Sequence, residues 1–136
     1  MYPAEAVLPL KNELLQSGFS ELTPESVSAS LESKGTALVV INSICGCAAR
    51  TARPGVLLAL EETSKKPDHL YTVFAGFDTD AVAAVRQHTK PYPPSSPSIG
   101  LFKDGELVHF VERHMIEGRP AEMIAQHLEA VFEEYC

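Results

Sequence analysis

Cys45 and Cys47 are separated by a single glycine, the residue type best able to adopt the backbone angles that so tight a ring requires. Such a pair can close a disulfide, and strained or exposed disulfides have the more oxidising potentials that suit a bond that turns over. The spacing therefore points to thiol–disulfide exchange. A helix is predicted to begin at or beside the pair, where unpaired amide N–H groups and the helix dipole favour a thiolate. Arg50 and Arg53 lie within the next two turns, and no acidic residue occurs between Glu32 and Glu61, so the local charge is positive. Cys45 gains most from this setting.

Other chemistries use the same residue types. Cys-x-Cys together with Cys136 or a histidine could form a thiolate site for zinc, copper or an iron–sulfur cluster. The second Cys-x-x-Cys or His-x-x-x-His half of such a site is absent, so no metal ligand is assigned, while a thiolate metal carrier or iron–sulfur-binding module stays as the alternative from a different class. A free cysteine is also a small hydrophobe, and on that reading the chain is an interaction module with incidental thiols. Cys136 is a poorer nucleophile, because Glu133, Glu134 and the adjoining carboxylate disfavour its thiolate; it is either an auxiliary resolving or inter-subunit thiol or a frayed end. His69, His88, His109, His114 and His127 share no metal-ligand spacing and read as strand-end, surface or helix-face residues. Pro97, directly before a predicted strand and flanked by Ser96 and Ser98, is a candidate cis peptide offering backbone groups to an incoming chain or thiol.

The elements that must position these residues alternate along the chain. Pro3 to Leu15 has helical apolar spacing that Pro9 should kink or shorten, and Gly18 stops it. Thr23-Pro24-Glu25 announces a second helix ending at Gly35. Thr36 to Asn42 is a β-branched apolar run, read as a central parallel strand covered on both faces. The helix after the cysteines should bend at Pro54. His69 to Gly76 is a strand, and Asp78-Thr79-Asp80 caps the short helix that follows. Four prolines between Pro91 and Pro97 make a loop, and Asp104-Gly105 joins two antiparallel strands. A closing helix from Arg119-Pro120 carries Met123, Ile124, His127, Leu128, Val131, Phe132 and Tyr135 on one face. This order implies a mixed α/β sheet with helices on both faces. In such sheets chemistry gathers past the carboxyl end of a central strand, where Cys45 lies.

At 136 residues with 45% hydrophobic and 21% charged side chains, the chain is expected to be one soluble domain with a real core, not a multi-domain enzyme or a disordered segment. Its formal charge of −7 repels a phosphate backbone and argues against nucleic acid. Three cysteines fit a thiol-reducing compartment better than a secreted disulfide scaffold. The N-terminus does not read as a signal peptide, and no segment reads as membrane-spanning.

With these residues in place a resemblance emerges. A strand, Cys45-Gly46-Cys47 at a helix start, and Ser96-Pro97-Ser98-Ile99-Gly100-Leu101-Phe102-Lys103-Asp104-Gly105-Glu106 resemble the site and the cis-proline hairpin of thioredoxin-like proteins. Thioredoxin has two residues between its cysteines. The single-glycine spacer, the Met-Tyr-Pro-Ala-Glu start and the Glu-Glu-Tyr-Cys ending are instead similar to the bacilliredoxins, over essentially the whole chain. The resemblance implies a single thioredoxin-like domain over 1–136, with 1–34 as an N-terminal helical extension. It implies a cytoplasmic oxidoreductase that strips bacillithiol from protein mixed disulfides, with bacillithiol as co-substrate and no tightly bound cofactor. Its partners would be S-bacillithiolated clients, bacillithiol and a separate bacillithiol disulfide reductase, without nucleic acid or membrane. Cys45 matches the attacking cysteine and Cys47 the resolving one, unless a second bacillithiol resolves the adduct. Gly46 matches the spacer and Pro97, with Ser96 before it, the substrate-binding cis-proline; Arg50 and Cys136 are auxiliary candidates from the charge and exposure reading above, and the family motif gives Cys136 no role. A general disulfide reductase or isomerase is the nearest competing activity.

Overall fold

Strand β2 (Thr36–Asn42) is buried along its whole length. In the computed structural model, which describes residues 2–136, alternate β2 side chains feed two separate cores. Leu38 and Val40 face α3 (Arg53–Glu62) and α5 (Ala121–Tyr135), while Ala37, Val39 and Ile41 face α2 (Val27–Leu31) and α4 (Thr79–His88). The remaining elements are α1 (Ala4–Leu15), β1 (Ser20–Glu21), β3 (His69–Phe74), β4 (Ser98–Lys103) and β5 (Glu106–Val111). The five strands lie in the order β1-β3-β2-β4-β5. The mixed sheet with helices on both faces is therefore as expected. β2 is central, yet parallel only to β3, being antiparallel to β4.

Several local expectations are corrected. Residues 1–34 carry two helices, but β1 lies between them and forms the sheet's edge beside β3, so the segment is not purely helical. Two residues of strand leave no alternation in the sequence to detect. α1 runs through Pro9 uninterrupted; the carbonyl that the missing N–H would engage belongs to exposed Glu5 in the first turn, where water can serve it. Thr23 does not open α2 directly. Thr23 Oγ1 accepts from Ser26 N–H at 3.2 Å and Ser26 Oγ accepts from Thr23 N–H at 2.9 Å, closing a turn that delays the helix to Val27.

Asp78 does not cap α4 through its side chain. Its carboxylate accepts from Phe74 N–H (3.0 Å) and from Lys11 Nζ (3.0 Å), tying β3 to α1. Pro54 is absorbed by a wide turn over Ala48–Ala52, in which Arg53 N–H reaches Ala48 O five residues back. On α5, Met123 is 47% exposed and the unnoticed Ala125 is buried, because the apolar stripe runs through Ile124, Ala125, Leu128, Val131 and Phe132. The β4–β5 turn has positive φ at Asp104 (51°) and Gly105 (86°), the pair of values that a two-residue hairpin demands.

Candidate functional site

Past the carboxyl end of β2, a polar network sets the approach to the first cysteine. Asn42 Oδ1 accepts from Ser43 N–H (2.8 Å) and from Arg53 Nη1 (2.9 Å), and Arg53 Nη1 also reaches Ser43 O (3.0 Å). Ser43 Oγ in turn accepts from Cys45 N–H at 3.2 Å. Arg53 is 1% exposed, and its Nε pairs with Glu13 of α1 at 3.0 Å. The sequence reading placed Arg53 with Arg50 as a source of open positive charge. Its charge is instead directed inward to Glu13, Asn42 and Ser43, since a buried guanidinium persists only where its donors are satisfied. Arg53 is the clamp between α1, β2 and the cysteine loop.

Cys45 and Cys47 are joined as a disulfide and both are half-buried, with Gly46 exposed between them. The helical run begins at Gly46, and Ala48 and Ala49 N–H both reach Cys45 O, at 3.1 and 3.3 Å. The pair therefore sits on the first turn, where exposed amides favour an anionic sulfur. Arg50 folds back over it, with Nε donating to Gly46 O at 3.5 Å. Gly46 is helical and has no positive φ, so the unusual backbone angles expected of it are not used; a Cβ there would stand 2.8 Å from Arg50 Nη2, and what the spacer glycine provides is room for this guanidinium.

The cis-proline loop arrives from the other side. The Ser96–Pro97 peptide is cis, Pro97 is buried and Ser96 half-buried. The β2–β4 ladder ends at the pair Ile41 and Ser98, so the cis-proline precedes β4 at the same end of β2 from which the cysteine loop starts. Arg113 holds the loop, its Nη1 donating to Ser96 O (3.3 Å) and its N–H to Ser95 Oγ (3.4 Å). Ser98 Oγ donates to Ser95 O at 2.9 Å. Sequence reasoning overlooked a second cis peptide, Lys90–Pro91, and the packing of Tyr92 on the Phe110 ring with centroids 4.9 Å apart.

An open groove of about 550 Å³ begins at Gly46 and Cys47. Arg50 and Thr51 lie on one side, and Arg113, Glu117 and Arg119 on the other. Arg113 and Arg119 are more than sixty residues from the cysteines in sequence, so charge counting near the motif could not find them.

Cys136 is at the opposite end of the molecule. Its surroundings are Thr36, Asp68 and Lys103, at the start of β2. Six strand residues separate that end from Asn42, roughly 20 Å at about 3.3 Å per residue. The auxiliary resolving role within one chain is thereby corrected: the thiol cannot meet Cys45 in this fold. Desolvation, followed by the Asp68 carboxylate, pushes the Cys136 thiol above its ordinary value, with Thr36 and Lys103 acting against them. The Glu133 and Glu134 carboxylates blamed in the sequence reading are not the cause.

Two of the five histidines do meet. His109 Nε2 and His127 Nε2 are 2.8 Å apart between β5 and α5, and burial, then the neighbouring His127, hold the His109 imidazole below its ordinary value. Among the described residues no three His, Cys, Asp or Glu side chains converge as a metal site. No helix among them is long and apolar enough to cross a membrane.

The architecture is similar to solved thioredoxin-like structures. A thioredoxin from Aeropyrum pernix superposes with a TM-score of 0.54 over 81% of this chain and 84% of its own, at 18% identity. The Trxlp protein of Edwardsiella tarda gives 0.51 over 83% and 98%, at 19% identity. The fold is thioredoxin-like, with a bonded cysteine pair at a helix start and a cis-proline before β4, and, together with the relatives that follow, it marks a thiol–disulfide oxidoreductase. The family model described as disulphide isomerase matches residues 2–136. A bacilliredoxin of Cytophaga hutchinsonii is 62% identical over 135 residues, spanning 98% of this chain and 99% of its own, and one of Bacillus cereus is 50% identical over 137 residues, spanning 99% and 95%. The chain belongs to the bacilliredoxin family.

Proposed function

We propose that this protein removes bacillithiol from mixed disulfides on cytoplasmic client proteins, with Cys45 as nucleophile and Cys47 as resolving thiol. The observation that carries the reading is the bonded Cys45–Cys47 pair on the first helical turn, with Arg50 across its spacer and the Ser96–Pro97 loop opposite. In the first step the Cys45 thiolate attacks the bacillithiol sulfur. A Cys45–bacillithiol disulfide forms, the client's S–S bond breaks, and the client sulfur leaves with the bonding pair as a thiolate that takes up a proton. Cys47 thiolate then attacks Cys45 Sγ, closing the Cys45–Cys47 disulfide and expelling bacillithiol as its thiolate. The oxidised pair holds the two electron equivalents' deficit and returns to the dithiol by exchange with a reducing thiol. Alternatively a second bacillithiol attacks the adduct, giving bacillithiol disulfide for a separate reductase. No tightly bound cofactor takes part in either route.

The description of the matching family favours one second reading, isomerisation of protein disulfides. Against it, a resolving thiol two residues away ends each mixed disulfide quickly, which suits reduction better than reshuffling.

The test is intact-mass spectrometry of the reduced protein mixed with a bacillithiolated client. The adduct is expected on Cys45, persistent in Cys47→Ala, absent in Cys45→Ala and as in the parent protein in Cys136→Ala. Transfer that survives in Cys45→Ala contradicts the assignment, and repair of scrambled protein disulfides without any bacillithiol transfer favours isomerisation.

A further inference from the structure

Three of the chain's five arginines border the groove that starts at Cys47, in a protein whose net charge is −7. Only one acidic side chain lines the same groove, and Glu117 is already paired with Arg113 Nε at 3.3 Å. Arg113 is further committed to Ser96 O. Arg50 and Arg119 are exposed and form no salt bridge among the described residues. The two walls are tied together at one point, where Thr51 Oγ1 donates to Arg119 O at 2.6 Å and so fixes the turn that carries Arg119 against the helix that carries Arg50. About 550 Å³ is the size of a small-molecule site, within the ~300–1,000 Å³ usual for such pockets.

We propose that this groove binds the small-thiol half of the mixed disulfide and recognises carboxylates on it through Arg50 and Arg119. The inference rests on the exchange reading above and adds to it the basis of substrate choice. A planar guanidinium on each wall suits carboxylate, which it can grip with two parallel hydrogen bonds. The groove also decides which sulfur is attacked. A small thiol seated in the groove beside Gly46 and Cys47 has its sulfur next to the bonded pair, although Cys45 itself is outside the lining, and the client half is then the leaving thiol. Thiol–disulfide exchange rates depend on which sulfur is accessible, so this placement gives the reaction its direction.

The test uses one client thiol carried as three mixed disulfides: with mercaptosuccinate, a dicarboxylate; with 2-mercaptoethanol, neutral; and with cysteamine, a cation. These thiols differ in intrinsic reactivity, so the readout is the ratio of exchange rates, mercaptosuccinate over 2-mercaptoethanol, compared between the parent protein and variants. The ratio is expected to fall about tenfold in R50Q/R119Q, equivalent to about 1.4 kcal/mol. In R50E/R119E the cysteamine adduct is expected to overtake the mercaptosuccinate adduct. Raising the salt concentration should compress the parent protein's ratio toward that of R50Q/R119Q. An unchanged ratio in both double variants overturns the groove while leaving exchange intact. If the parent protein exchanges none of the three adducts, the exchange reading itself is overturned.

Discussion

The two ends of strand β2 each hold cysteine, in opposite settings. At the carboxyl end, Cys45 and Cys47 lie on a helical first turn with Arg50 across the spacer and Arg113 and Arg119 around the adjoining groove. At the amino end, Cys136 lies beside Thr36 and Asp68, where desolvation and a carboxylate hold its proton on. The residue type is the same at both ends, and the surroundings differ in how far they favour a thiolate. Strand direction contributes to this difference, since helices in an α/β sheet present their N-termini past the strands' carboxyl ends.

The strongest way to break the comparison is Cys45→Ala, which should reduce adduct transfer to background in the intact-mass assay while leaving Cys136 and the fold unchanged. Next comes the clamp. Arg53→Met removes the donors of Asn42, Ser43 and Glu13, and should lower stability by about 2–3 kcal/mol, read as a lower urea midpoint at unchanged slope. The half-exposed Glu13 can return to water, which keeps the loss below that of a fully buried pair.

Gly46→Ala puts a methyl group 2.8 Å from Arg50 Nη2, so the guanidinium must shift, and the rate of exchange with a carboxylated adduct should drop about threefold, a loss comparable to one partly screened charge contact. At the far end, Asp68→Asn keeps the oxygen that accepts from Thr36 N–H but removes the charge that opposes the Cys136 thiolate. Alkylation of Cys136 at pH 8 should then quicken by a small factor, with its rate in both proteins rising as pH rises. The smallest effect is Cys136→Ala, for which exchange at Cys45 should match the parent protein.

What the sequence disclosed and what it hid divide along the same physical line. β2, the Asp104-Gly105 hairpin, the helix start at the cysteines and the cis peptide at Pro97 are local signals, carried by β-branched runs, turn chemistry and proline. The two-residue strand β1 has no periodicity and depends on pairing with Tyr71 and Thr72. Arg53 illustrates the limit for a single side chain: its spacing to Cys45 is legible, but its guanidinium is committed to Asn42 and Ser43 and to Glu13 in α1. Arg113 and Arg119 join the site only because the segment after β5 returns past Cys47 before α5 begins, and nothing near the motif announces that path. The meeting of His109 with His127 is likewise a product of packing between a strand and a helix whose sequence positions share no spacing.

The central claim is that the couple at one end of β2 is redox-active and the thiol at the other is a bystander. It is tested most directly by equilibrating the protein across a graded ratio of reduced to oxidised dithiothreitol, trapping with acid and mapping each cysteine by differential alkylation. Cys45 and Cys47 are expected to become unavailable together, as one two-electron couple, while Cys136 stays alkylatable at every ratio. Loss of Cys136 in step with Cys45, leaving Cys47 free, would contradict the account.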